Sequence, residues 1–122
     1  MFSKADFEKA VEIAENVFWV GYNFKNVWFH TNAYLIVEGN EAVLIDPGSI
    51  IDFEKVSAKV KSVCSIKKVK YIILQHQDPD LCGSTTEFEK LTDLTVYTPE
   101  RSAVFSKFYG IKSFVSPVRY FD

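Results

Sequence analysis

His76, Asp78 and Asp80 occupy alternate positions in the segment Gln75-His76-Gln77-Asp78-Pro79-Asp80-Leu81-Cys82-Gly83. Alternate residues of an extended segment project to one side of the chain. One imidazole and two carboxylates brought together in this way are borderline-to-hard donors, suited to a divalent or transition-metal ion. The same residues also fit a plain turn, in which the aspartates accept local Asx hydrogen bonds and Pro79 fixes the backbone. His30 is the one other histidine and reads as an ordinary loop residue. Cys82 follows the motif closely, although a small buried thiol is the commoner role for such a residue. Three donors do not close a tetrahedral or octahedral shell. Either further ligands come from outside these residues or the site is vestigial, and no side chain is assigned a catalytic role.

The elements that must position these groups are legible around them. Tyr71-Ile72-Ile73-Leu74 is an apolar, strand-like run ending at the motif, and Val69 to Leu74 is predicted as the whole strand. A helix is predicted from about Gly83 to Leu91. Upstream, Ala33 to Glu38 and Glu41 to Asp46 flank Gly39-Asn40, the strongest hairpin signal in the chain. Both strands are almost continuously apolar, which predicts burial on both faces. Ile51 to Val63 has helical periodicity, with Ile51, Val56, Val60 and Val63 on one stripe. Ala10–Ala14 and Val17–Val20 read as short strands around the turn pair Glu15-Asn16, and Ser3 to Lys9 as one helical turn. Gly21 to Asn32 reads as an aromatic-rich loop or irregular hairpin. After a strand over Thr95–Thr98, Pro99 is expected in the first turn of a further helix ended by Gly110, with a last strand at Ser113–Ser116. Hairpins followed by alternating strands and helices give an α/β (α+β) fold, a mixed sheet with helices on one face.

Composition sets the outer bounds. The chain has 122 residues, enough for a single domain, and is 48% hydrophobic with 11 Phe, 6 Tyr and 2 Trp, which excludes disorder on burial grounds. A net charge of −2 with no basic stripe argues against a nucleic-acid partner. No apolar run approaches the roughly 20 residues of a membrane-spanning helix. Met1-Phe2-Ser3-Lys4-Ala5-Asp6 has no signal-peptide hydrophobic region, so a cytoplasmic location with reduced thiols is expected. The predicted helices suffice to cover one sheet face only. The other is expected to pack against a second copy of the chain, a separate subunit or a missing C-terminal half, because monomers seldom expose such a patch.

Four stretches carry a family resemblance: Val17-Phe18-Trp19-Val20-Gly21, Thr31-Asn32-Ala33-Tyr34-Leu35-Ile36-Val37, Ala42-Val43-Leu44-Ile45-Asp46-Pro47-Gly48 and His76-Gln77-Asp78-Pro79-Asp80. In this order they resemble the N-terminal half of a metallo-β-lactamase αββα sandwich. Within that superfamily the chain is most similar to the diiron branch, the flavodiiron and oxygen-binding diiron proteins. The superfamily pattern His-x-His-x-Asp-His falls on His76, Asp78, Asp80 and Leu81. A carboxylate at the second position is the diiron-branch feature, and Leu81 departs from the pattern by removing a nitrogen ligand. The resemblance implies that His76 and Asp78 serve one metal and Asp80 the other. It also implies that Asp46 is the buried aspartate supporting the metal loop; without it, Asp46 is a strand-ending turn residue before Pro47-Gly48. The family's remaining ligands lie in its second half, so residues 1–122 are expected to be a half-domain, truncated or completed by a partner.

The function so implied is binding or reduction of O2 or NO at a non-haem diiron site in the intact parent, with an external electron donor. The cofactor is iron, with manganese or zinc as the other ions the donors would take. Two readings of another class stand beside it: a metal-dependent hydrolase relative, and a degenerate half-domain without catalysis. Whether the parent is an enzyme is left open, and the isolated chain is expected to be inactive.

Overall fold

A computed structural model describes residues 8–23, 30–75, 83–99 and 114–118. Strands β1 (Val11–Ala14), β2 (Val17–Trp19), β5 (Tyr34–Glu38), β6 (Glu41–Ile45), β7 (Val69–Ile73), β8 (Thr95–Pro99) and β9 (Phe114–Val118) form one sheet in that order. The first four run antiparallel to one another, and β6 to β9 are parallel. Helix α1 (Phe53–Val63) joins β6 to β7 and α2 (Thr85–Glu89) joins β7 to β8. Right-handed crossovers between parallel neighbours put both helices on one face. Two short strands, β3 (Tyr22–Asn23) and β4 (His30–Thr31), pair as a separate antiparallel ribbon where an aromatic-rich loop or irregular hairpin was expected.

The register shows how the described residues build a core on the helix side of the sheet. Leu35, Leu44, Ile72 and Val96 are successive cross-strand partners, and all four are fully buried. Val56 and Val60 from α1 and Phe88 from α2 close over them, with the Phe53 and Phe88 rings edge to face at 5.0 Å. On the opposite face, Ile36, Val43, Tyr71 and Thr95 form the neighbouring row of partners. None of these is fully buried, and Ile36 is 37% exposed. Among the described residues of this chain β5 and β6 are buried on the helix side, and their other face is the one expected to pack against a second copy, a subunit or a further half. Tyr71 and Tyr97 lie side by side on the open face, ring centres 6.0 Å apart.

Element ends differ from the sequence expectation for local reasons. Ile51 is 73% exposed, and Ile50 61%, because α1 begins only at Phe53 and the preceding turn lifts both side chains off the core. Pro99 is the last residue of β8, paired with Val118, rather than the start of a helix; a proline without an N–H is accommodated at a strand end. The proposed helix reaching Gly110 lies outside the described residues, as do residues 3–7 of the N-terminal turn. The turn at Glu15-Asn16 is present, with Asn16 at φ 62°, a conformation that asparagine tolerates. At the outer edge, a bulge between Glu12 and Ala14 breaks the regular pairing of β1 with β2.

Candidate functional site

The parallel strands β6 and β7 end side by side, at Ile45 and Ile73, and the residues just beyond these two ends form the candidate site. Ligand sites of open α/β sheets collect at this carboxyl edge. Asp46 leaves β6 at φ 47°, with its own N–H donating to the Ile73 carbonyl at 3.0 Å. That backbone twist turns its buried carboxylate toward the end of β7. There Oδ1 accepts from the backbone N–H of Gln75 at 2.8 Å, and Oδ2 accepts from the Gln75 side-chain amide at 2.9 Å. Gln75 immediately precedes His76. The same segment is fixed from its other side by Leu74, whose N–H donates to the Tyr97 carbonyl at 2.8 Å.

His76, Asp78, Asp80 and Cys82 lie outside the described residues. Among the described residues no group of three or more His, Cys, Asp or Glu side chains is placed to hold a metal ion. His30 belongs to β4, paired with Asn23. Cys64 caps the end of α1, just before the strand that starts at Val69, and so lies at the opposite end of the sheet. Burial pushes its thiol pKa up, and the nearby Lys68 ammonium partly opposes that shift.

A second polar network, at the turn after Asp46, was not anticipated. Asp52 is 2% exposed, and its Oδ2 accepts from Thr31 Oγ1 at 2.6 Å and from both the backbone N–H and the hydroxyl of Ser49 at 2.9 Å. Gly48, at φ 95°, passes so close that a Cβ there would lie 2.6 Å from Thr31 Cγ2 and 2.8 Å from Asp52 Oδ2. The Gly48 carbonyl accepts from the Ser84 N–H at 2.9 Å. This network therefore ties the turn after β6 to Ser84, at the start of the segment that leads into α2. The sequence signal was present: Ser49-Ile50-Ile51-Asp52 has the Ser-x-x-acid spacing of a capping box, in which the acid returns to the N–H of the serine.

Comparison with known proteins places this architecture. Residues 29–120 match the profile of the ODP family of β-lactamase-fold proteins, and the chain belongs to that family, whose name denotes oxygen-binding diiron proteins. Among solved structures it is similar to the rubredoxin oxygen:oxidoreductase of the anaerobe Desulfovibrio gigas (TM-score 0.78, 20% identity), over 90% of this chain and 31% of that one. It is also similar to the chemotaxis sensor ODP, solved as a peroxy diiron species (TM-score 0.72, 23% identity), over 90% of this chain and 45% of that one. The metallo-β-lactamase SMB-1 with mercaptoacetic acid matches 94% of this chain and 49% of its own (TM-score 0.76, 20% identity). These likenesses establish the fold, a mixed sheet corresponding to part of the metallo-β-lactamase sandwich. The chain spans between about a third and a half of each of these structures. No curated protein matches the sequence.

Proposed function

We propose that this chain supplies one half of a non-haem diiron domain that binds or reduces O2 or NO. In this reading His76, Asp78 and Asp80 are its share of the metal ligands, and Asp46 is the brace behind them. The observation that supports it most is the grip of Asp46 on Gln75 at the carboxyl edge of β7, in a chain of the ODP family. A carboxylate that holds both the backbone and the side-chain amide of the residue before His76 fixes where the motif loop leaves the sheet. Supporting hydrogen bonds of this kind keep metal ligands oriented. The donor set fits the group: one imidazole with two carboxylates is harder than the nitrogen-rich sets that favour zinc, and Leu81 removes a further nitrogen.

When bound, the iron pair supplies the gas-binding and redox chemistry. The remaining ligands come from a complementary half seated on the open sheet face, either a separate or continuing polypeptide or a second copy, and electrons come from an external donor. The similarity to a chemotaxis sensor and to an oxidoreductase makes sensing and turnover both natural uses of such a site.

The test is anaerobic Fe(II) titration of the chain, alone and with any polypeptide found to co-purify with it, followed by metal analysis and visible absorption on exposure to O2. Iron binding that is lost in His76→Ala and Asp78→Ala but kept in His30→Ala is expected. A complex that takes up no Fe(II), or that binds it equally well without His76 and Asp78, would overturn the proposal.

A further inference from the structure

Between the β1–β2 hairpin and the flank of α1 lies a half-open cavity of about 720 Å³, within the roughly 300–1,000 Å³ of small-molecule sites. Its wall is apolar: Ala10 and Phe18 line it with Ala58 and Val63 of α1. Its charged lining is mainly cationic, with Lys9, Lys55 and Lys59 against the single carboxylate of Glu8, in a chain whose net charge is −2. The Lys59 side chain is buried; its ammonium donates to the Gly21 carbonyl and sits 4.4 Å from the Trp19 ring centre. Lys55 is exposed and lies 5.7 Å from the centre of the Tyr22 ring.

Phe18, Val63 and Ala10, which share the cavity lining with the lysines, also pack on the hydrophobic core. Among the described residues the lining has no arginine, the residue whose forked donors recognise a phosphate. We infer that this cavity binds a small amphipathic carboxylate, its apolar body against Phe18, Ala58 and Val63 and its charge among the lysines. The site shares no residue with the metal ligands proposed above and stands independently of them.

Octanoate and naphthoate are the probes, titrated into the whole chain and followed by calorimetry and by methyl NMR shifts. Both acids should bind and move the methyl signals of Ala10, Ala58 and Val63. Octanol and naphthalenemethanol should bind about ten-fold more weakly, a difference of about 1.4 kcal/mol, and inorganic phosphate should leave those methyls unmoved. The double variant Lys9→Gln, Lys55→Gln alters exposed positions only, and it should lose about ten-fold for the acids while leaving the alcohols unchanged. Ala58→Trp, also at an exposed position, should fill the cavity and abolish binding of both classes, with thermal unfolding confirming that each variant is folded. Equal affinity for acid and alcohol, an equal response to phosphate, or indifference to the lysine substitutions in folded protein would each overturn the assignment.

Discussion

Asp46 is the residue on which the geometry of the rim turns. In Asp46→Ala the Gln75 backbone N–H loses its acceptor, and the loss of such a part-buried hydrogen bond costs about 0.5–1.5 kcal/mol. Chemical denaturation should register that loss, and iron affinity in the completed site should fall about 10–100-fold, as for other lost ligand supports. Asp78→His should move the metal preference toward zinc, read by competitive loading with Fe(II) and Zn(II); unchanged selectivity in protein that still binds metal would refute the donor-set argument. Cys64, with its thiol pKa raised by burial, stays protonated to higher pH and should alkylate more slowly than a free thiol at mildly alkaline pH, which peptide mass spectrometry resolves. The histidine and aspartates of the motif are proposed from residue type and spacing, and they lie outside the described residues. The Thr31–Asp52 bond was not legible in the sequence, since its partners are 21 positions apart and only the fold brings them together. The role expected of Asp46 came from family resemblance; its bond to Gln75 joins two strand ends that no local pattern connects.

At the level of elements, the turn between β6 and α1 is the least tolerant segment. Gly48→Ala combines a φ of 95° with a Cβ 2.6 Å from Thr31 Cγ2, and overpacking with strain of this sort costs about 1–3 kcal/mol or more. Its denaturation midpoint should fall accordingly, and a variant as stable as the parent would show that the turn can relax. Phe88→Ala removes the fully buried ring that joins α2 to α1, an aromatic truncation worth about 3–5 kcal/mol in the same assay. The hairpin at Gly39-Asn40 and the apolar stripe of α1 at Val56 and Val60 were readable because turn chemistry and periodicity are local. The start of α1 was misplaced toward Ile51 because an exposed isoleucine carries the same letter as a buried one. Pro99 was assigned to a helix because proline opens helices and ends strands alike, and only its pairing with Val118 decides.

For the whole molecule, the dominant fact is a sheet with helices over one face and Ile36, Val43, Tyr71 and Tyr97 on the other. Ile36→Lys together with Tyr71→Lys should leave the helix-side core intact, since neither residue is in it, yet weaken association with any second half or second copy. Sedimentation velocity of parent and variant distinguishes these states; identical behaviour would mean that the face is not used. The sheet's two borders behave differently from its face. At one, the bulge between Glu12 and Ala14 interrupts β1; at the other, β9 contains Pro117, which has no N–H to offer. A row of backbone groups broken in this way is a poor template for adding another strand. The free chain should thus resist fibril growth, with thioflavin fluorescence staying low on incubation and rising in Pro117→Val. Under the proposed half-domain reading, one apolar side and two blunt rims would favour the stacking of a second half over the growth of endless ribbons.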